Sequence, residues 1–471
     1  GFLQMAVSIR RVGHRMKSHW VGDILAGAHD GETVELKGWV YRTRGNNNIH
    51  FLSLRDSTGN VKCVAKKDII GEDAFAAFGS ALIESSMIIR GEVVLTPDSR
   101  DGESHEILVT SVDIVGSVDS ERPFPIKGSD MLHTDEEGEL MYGGSQNCLD
   151  NRHLYLRTTR ATTMLKLRST AFGAIHDYFR SREFIEYQAP NFVTGAVEGG
   201  STLFEVPYFP TEANPERKAY LTQSWQLYAE AAMPALERLY TIAPSFRAED
   251  SRTRRHLTEF WHAEMEVAWA NNDEVMEHGE GVVRHIAQTM LDEREQELVS
   301  LERDLESIAK FADNPYPRMR YDEAIERLQE LKVDVKWGDD LDYTMEKVLT
   351  QDFEIPHFVT HYPKIAKPFY HRVDPDDGNY VLCHDLLAPE GYGEIIGGGE
   401  RTWSEQEILE RIDEEGTPRD PYQFYIDVRS YGGVPHAGFG LGVDRVVSWL
   451  AGASHIREVI PFPRTSRRVT P

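Results

Sequence analysis

Phe246 to Trp269, reading FRAEDSRTRRHLTEFWHAEMEVAW, decides the fold of this chain. Arg247 and Glu249 stand on alternate positions ahead of a turn dense in cations: Arg252, Arg254, Arg255 and His256. An alternating run follows, with His262, Glu264 and Glu266 on one face and Ala263, Met265 and Val267 on the other. A strand sends every second side chain to the same side. The stretch therefore predicts two antiparallel strands joined by an arginine-rich loop, with a charged face that looks into a cleft or into solvent. Guanidiniums and carboxylates set at regular spacing in an otherwise apolar strand pair suit the handling of a polyphosphate beside an amine.

Upstream, the helix-like stretch Leu165–Arg182 leads into Phe184–Val193, which contains Pro190. Downstream, Gly438-Phe439-Gly440-Leu441-Gly442-Val443-Asp444-Arg445 reads as a glycine-rich strand running into a helix that carries an arginine. Leu165–Val193, Phe246–Trp269 and Gly438–Arg445, in this order and at domain-scale spacing, resemble motifs 1, 2 and 3 of the class II aminoacyl-tRNA synthetases. The resemblance implies an α+β fold, with a catalytic domain on an antiparallel sheet.

Length and composition are compatible with that. The 471 residues suffice for a large catalytic domain and a smaller one, and 40% hydrophobic residues can fill both cores. No apolar run approaches the roughly 20 residues of a membrane span. Cys63, Cys148 and Cys383 lie far apart, without C-x-x-C spacing, which argues for a reducing compartment and against structural zinc. A cytoplasmic protein with no membrane segment is expected. The net charge of −26 is unevenly spread: Gly1 to Lys67 holds eleven Lys and Arg against five Asp and Glu. A local basic patch can hold phosphates on an acidic chain.

Val34 to Val115 reads as five short strands: Val34–Arg42, His50–Arg55, Val61–Ala65, Ser86–Val94 and Glu106–Val115. Five such strands suggest a small barrel. Gly38-Trp39-Val40-Tyr41-Arg42 and Phe51-Leu52-Ser53-Leu54-Arg55-Asp56 resemble the OB-fold anticodon-binding domain that precedes class IIb catalytic domains. By that resemblance Phe51 stacks on an anticodon base, while Arg42, Arg44, Arg55 and Lys62 meet tRNA backbone or bases. Lys62 stands where the family usually has glutamine. The competing reading makes Phe51 a barrel-core residue. The expected domains are a barrel over 1–118, a linker over 119–150 with an acidic run at Asp135-Glu136-Glu137, and a catalytic domain over 151–471. Asn272 to Ala312 reads as one long charged helix.

The resemblance implies activation of an amino acid by attack of its carboxylate on the ATP α-phosphate, which asks mainly for placement and charge neutralisation. Arg247 matches the arginine bridging α-phosphate and substrate carboxylate. Arg255 and His256 match loop residues at the outer phosphates, and Arg445 matches the arginine on the γ-phosphate. Phe260 would stack on adenine, with Glu249 at its amino edge. Asp385 and Glu394, in HDLLAPEGYGEIIGGGER, resemble the paired acids that hold magnesium with the nucleotide phosphates.

Class IIb candidates are aspartate, asparagine and lysine. Aspartyl members carry a lysine just after Q-L-Y, whereas here Gln226-Leu227-Tyr228 is followed by Ala229-Glu230. Glu264 stands where aspartyl members have the shorter aspartate, and its competing reading is a structural strand carboxylate. By resemblance Glu264 accepts from a side-chain amide and repels a carboxylate, and Arg401 donates to the amide carbonyl. Glu198, Ser224 and Gln226 would hold the α-amino group. The strings LTQSWQLYAE and GEIIGGGER look asparaginyl. The resemblance thus implies ATP, L-asparagine and tRNA(Asn) as substrates, magnesium as cofactor, and a homodimer through motif 1. The alternatives are an aspartyl member of relaxed tRNA choice, a tRNA-independent asparagine synthetase of the same fold, and an OB-fold binding module carrying a dead catalytic domain.

Overall fold

A computed structural model describes residues 17–96, 104–134, 140–198, 202–251 and 253–471. Arg252 of the cation-dense turn and the acidic run at 135–137 lie outside the described residues. The chain divides into two compact units, Gly1–Ser129 and Asp130–Pro471.

In the first unit, β1 (Thr33–Gly45), β2 (Ile49–Asp56), β3 (Gly59–Lys66), β4 (Ser86–Leu95) and β5 (His105–Gly116) close a barrel in the order β1-β2-β3-β5-β4. The five strands expected from the sequence are all present. Alternation fills the inside with Leu36, Val40, Leu52, Leu54, Cys63 and Ile107, among others. The same alternation turns Phe51, Ser53 and Arg55 to the outer wall, where each is half-buried. Phe51 is therefore not a barrel-core residue. A helix over Glu72–Ser80, unmarked in the strand reading, adds Phe75 and Phe78 to the core.

The second unit is built on eight strands. They are β6 (Ile185–Glu186), β7 (Arg238–Phe246), β8 (Glu259–Ala268), β9 (Arg318–Arg320), β10 (His357–Thr360), β11 (Cys383–Ala388), β12 (Gly393–Glu400) and β13 (His436–Gly442). Their order is β9-β10-β11-β12-β13-β8-β7-β6. Pairing is parallel only at the two ends, β9 with β10 and β7 with β6. The six strands between are antiparallel.

Helices α1 (Thr159–Arg180), α2 (Gln226–Leu236), α3 (Asn272–Ser300), α4 (Tyr343–Thr350), α5 (Gln423–Ser430) and α6 (Val443–Ala451) supply most of the remaining packing. Apolar faces of α1, α3 and α6 meet one face of the sheet, where Ala263, Met265, Leu386, Ile396, Phe439 and Leu441 are buried. Arg168 of α1 forms a buried ion pair with Asp444 of α6, which also accepts from the Trp261 N–H at 2.8 Å. Motif 1 is thereby tied to motif 3 and to β8.

The expected single helix over Asn272–Ala312 is two. A capping box on Asn271 and Glu274 starts α3. Glu302 then takes a positive φ of 62°, and Asp304 caps a second helix, Leu305–Asp313, by accepting from the Glu306 N–H at 3.1 Å. Charge pattern alone carried no sign of this break.

Because α1, α3 and α6 cover one sheet face, the alternation of β8 sends its charged side chains to the other. Each of these residues has a glycine opposite it on β13: His262 pairs with Gly442, Glu264 with Gly440 and Glu266 with Gly438. A Cβ at Gly438 would lie 2.3 Å from the Glu266 carboxyl carbon, so no larger residue fits there. At Gly440 it would come no closer than 3.6 Å to Glu264, an ordinary contact. The glycine-rich strand is what makes room for the carboxylates of its neighbour.

Candidate active site

Two groups of polar side chains share the sheet face opposite α1, α3 and α6. The first surrounds a cavity of about 200 Å³ lined by Arg247, Glu249, Arg255, His256, Phe260, His262, Glu394 and Arg445, among others. All six residues assigned to the nucleotide from the sequence thus line one space. Arg247 follows β7 directly, with its N–H donating to the Thr258 carbonyl at 2.9 Å. Its guanidinium lies 5.4 Å from the centre of the Phe260 ring and 4.0 Å from the Glu198 carboxylate. The Nε groups of Arg247 and Arg255 are buried with no hydrogen-bond partner among the described residues. Buried guanidinium donors left unmatched are costly inside a fold and mark a place built for an oxyanion.

The cations here are balanced by three carboxylates. Arg255 forms an ion pair with Glu346 of α4, and Glu346 also accepts from the Glu394 N–H at 2.7 Å. Arg445 donates to the Glu394 carbonyl and carboxylate at 3.1 and 3.3 Å. Lys367 bonds Asp385 at 3.0 Å. Burial pushes up both acids, but Arg445, Arg255 and Lys367 outweigh it at Glu394 and hold its carboxyl down at about 2. Asp385 instead rises to about 7 through burial, with Glu394 adding to the rise and Lys367 opposing it.

Asp385 and Glu394 converge over Gly397. A Cβ on that glycine would lie 3.1 Å from a Glu394 oxygen and 3.3 Å from an Asp385 oxygen. No group of three or more acidic, histidine or cysteine ligands occurs among the described residues. Magnesium commonly takes only one or two carboxylates and completes its shell with phosphate and water. The donor set fits such an ion.

Burial and the arginines keep the local imidazoles neutral. His256 is lowered to about 3 by burial and by Arg445 and Arg255. His262 is held well below its ordinary value by burial, Arg247 and Arg445.

The second group lies further along β8. Glu264 is buried and accepts from Ser224 Oγ and, at 2.9 Å, from the Trp225 N–H. Burial raises its carboxyl above the usual range against those two donors. Ser224 also accepts from the Gln226 N–H at 3.1 Å, so Ser224, Gln226 and Glu264 form one chain of contacts. Arg401 is brought to this strand face by its neighbour instead: its Nε and Nη2 grip Glu266 at 3.0 and 2.6 Å. Nη1 takes no part in that grip. Gln226 directs its side-chain NH2 at Glu230, at 3.1 Å. Glu198 accepts from Tyr370 OH at 2.8 Å. Ala229, where an aspartyl member would carry lysine, is fully buried.

In the barrel unit, a groove of about 580 Å³ is lined by Arg42, Arg44, Phe51 and Lys62. The Arg44 and Lys62 cations each lie 5.4 Å from the Phe51 ring centre. Arg55 is not among the groove residues: its Nη2 is bound to both oxygens of Glu84 at 2.9 and 2.8 Å.

Glu346, Lys367 and Glu230 were not singled out from the sequence. Arg255 and Glu346 are 91 residues apart, and no local pattern links them. Glu230 had a signal, since it follows Gln226 by one helical turn.

Residues 145–466 match the family model of class II tRNA synthetases (D, K and N), and residues 34–115 match that of the OB-fold nucleic acid binding domain. The asparagine--tRNA ligase of Thermoplasma acidophilum is 44% identical, over 96% of this chain and 99% of the relative. That of Pyrococcus horikoshii is 43% identical, over 94% and 97%. The crystal structure of the asparaginyl-tRNA synthetase from Pyrococcus horikoshii complexed with asparaginyl-adenylate superposes with a TM-score of 0.86 at 42% identity, covering 94% of this chain and 97% of that one.

Proposed function

This chain belongs to the class II tRNA synthetases of the D, K and N group, and we infer from that premise and from its pocket that it joins asparagine to tRNA(Asn). The reaction runs in two steps. ATP and asparagine give asparaginyl-adenylate and pyrophosphate, and the asparaginyl group then passes to a hydroxyl at the tRNA 3′ end with release of AMP.

The observation that carries the choice of asparagine is the charge balance beside Glu264. The guanidinium of Arg401 is gripped by Glu266, and that of Arg429 by Glu230 at 2.5 Å. Ala229 supplies no cation. An incoming β-carboxylate would lose its hydration and meet Glu264 without an unmatched positive partner. An amide carries no charge to repel. Its NH2 donates to Glu264 and its carbonyl accepts from the Nη1 end of Arg401.

In this reading Arg247 holds the α-phosphate against the substrate carboxylate, Arg255 and His256 meet the outer phosphates, and Arg445 holds the γ-phosphate. Arg255 exchanges its contact with Glu346 for phosphate when ATP enters. Phe260 packs on adenine and Glu249 accepts from its amino group. Glu198, Ser224 and Gln226 surround the α-ammonium. Asp385 and Glu394 would hold magnesium together with the phosphates, and the ion would neutralise charge on the departing pyrophosphate.

The barrel supports a tRNA partner over a tRNA-independent amidation. We assign the anticodon to the Phe51 groove, with Arg42, Arg44 and Lys62 at its phosphates and bases, and Arg55 fixed beside it by Glu84. The domain limits in this reading are 1–118, 119–150 and 151–471. A second copy of the chain is the expected partner through motif 1, and a half-exposed Ile185 on the outermost strand β6 is consistent with such a neighbour. Three buried cysteines, far apart in the sequence, favour a reducing, cytoplasmic setting. No helix among the described residues is long and apolar enough to cross a membrane.

Charging assays with labelled asparagine test the proposal. Transcripts of tRNA(Asn) should be charged and those of tRNA(Asp) should not. Equal charging of both, or charging with aspartate, would overturn it.

A further inference from the structure

Glu230 has entered so far only as the partner of Gln226 and Arg429, yet it is among the most enclosed carboxylates of the described residues. It lies wholly buried in α2. Its two oxygens collect Tyr425 OH at 2.9 and 2.8 Å, Arg429 Nη2 at 2.5 Å, His436 Nε2 at 2.7 Å and Gln226 Nε2 at 3.1 Å. Taking a carboxylate out of water costs several kcal/mol, and such a group persists only when its lone pairs are met. Here four side chains from α2, α5 and β13 meet them.

The consequence falls on Gln226. An amide offers a donating NH2 at one end and an accepting oxygen at the other, and the surroundings decide which end points where. An ionised carboxylate can only accept. With Arg429 against it, Glu230 is ionised, so the end of Gln226 that faces it is the NH2. The amide oxygen is the end left over, and no described residue donates to it. A substrate α-ammonium has three donors and no acceptor, so an oxygen is what it requires and an NH2 would repel it. The Gln226 N–H is meanwhile anchored on Ser224, which is itself anchored on Glu264.

We propose that Glu230 is a positioning residue of the amino-acid site, locking the Gln226 amide with its oxygen turned to the substrate α-ammonium. The proposal rests on the amino-acid site described under the proposed function. It separates from that reading because it concerns recognition of the ammonium end and leaves recognition of the side-chain amide untouched.

The test is ATP–pyrophosphate exchange by the full chain, with Glu230→Gln, Gln226→Ala and the double variant beside wild type. Inhibition by succinamate, which is asparagine without its amino group, is measured in parallel. Glu230→Gln should raise the asparagine KM about tenfold or more, the scale of one hydrogen bond to a charged group. The ATP KM and the succinamate inhibition constant should stay within about twofold of wild type on the same reasoning. In the Gln226→Ala background, Glu230→Gln should add nothing further, because the two act as one unit. A second variant, Glu230→Gln with Arg429→Met, removes both charges and leaves no guanidinium buried alone, and it should give the same split. Equal weakening of asparagine and succinamate in either variant would overturn the proposal, as would an undiminished effect of Glu230→Gln without Gln226. Failure of wild type to exchange with asparagine would instead overturn the reading of the site itself.

Discussion

Replacing Glu264 by glutamine should collapse the preference for asparagine over aspartate. The substitution keeps the size of the side chain. An amide oxygen can still accept from the Trp225 N–H, and the new NH2 can donate to Ser224 Oγ, so both contacts of Glu264 have replacements. What changes is charge. Two carboxylates about 4 Å apart at an effective dielectric near 20 repel by about 4 kcal/mol. Removing one relieves most of that, worth up to about a thousandfold in kcat/KM for aspartate. Asparagine loses the difference between a charged and a neutral acceptor, about 1 kcal/mol, or roughly fivefold. The selectivity ratio should therefore shrink by up to about three and a half orders of magnitude on these figures.

Exchange assays on the two amino acids read this directly. The pH profile adds a second reading. Burial raises the Glu264 carboxyl, so as pH falls through that raised value the group gains a proton and the repulsion fades. Wild type should reject aspartate better as pH rises, and Glu264→Gln should show no such trend. An unchanged selectivity ratio in the folded variant would refute the reasoning and make Glu264 a structural strand carboxylate.

Three further outcomes follow from the same geometry. Arg247→Ala should cut exchange by about 10²–10³-fold or more, the scale of losing one preorganised oxyanion donor, and retained activity would remove Arg247 from the phosphate site. Phe51→Ala should raise the tRNA KM about tenfold while leaving tRNA-free exchange unchanged, since one stacked base is worth about 1–3 kcal/mol, and an unaltered tRNA KM would return the groove to ordinary surface. His384 is fully buried, donates from Nδ1 to Asn272 Oδ1 at 2.7 Å, and is lowered to about 3 by burial and Arg401. Its unfolded value of about 6.5 lies higher, so the stability it contributes is full above that value and drains away as pH falls toward 3. At pH 5 the loss is about 2 kcal/mol. Chemical denaturation at pH 7 and 5 should show that share missing in His384→Gln, and equal losses in both proteins would contradict it.

The parts of the molecule that were legible in the sequence are those fixed by short-range periodicity. The alternation from His262 to Val267 gave both faces of β8, because the side-chain period of a strand is two and one face had to be apolar. The five barrel strands were readable for the same reason. The glycines of β13 needed β8 beside them before their purpose showed: Gly438 is there because Glu266 occupies the space a Cβ would take.

Contacts between distant segments were not readable. Glu346 reaches Arg255 only once α4 packs beside β12, and Lys367 reaches Asp385 across a loop. Arg401 was read for a substrate carbonyl, but nothing in G-G-G-E-R announces that Glu266 will hold two of its nitrogens. The end of the Asn272 helix escaped because Glu302, not a glycine, takes the left-handed turn.

The most direct test of the account is ATP–pyrophosphate exchange by the wild-type chain with magnesium, without tRNA, run separately on asparagine and aspartate. Exchange with asparagine alone is the predicted result, and it would join the phosphate cavity and the Glu264 pocket in one reaction. Exchange with aspartate would contradict the account, because the carboxylate that Glu264 is placed to reject would then have been accepted.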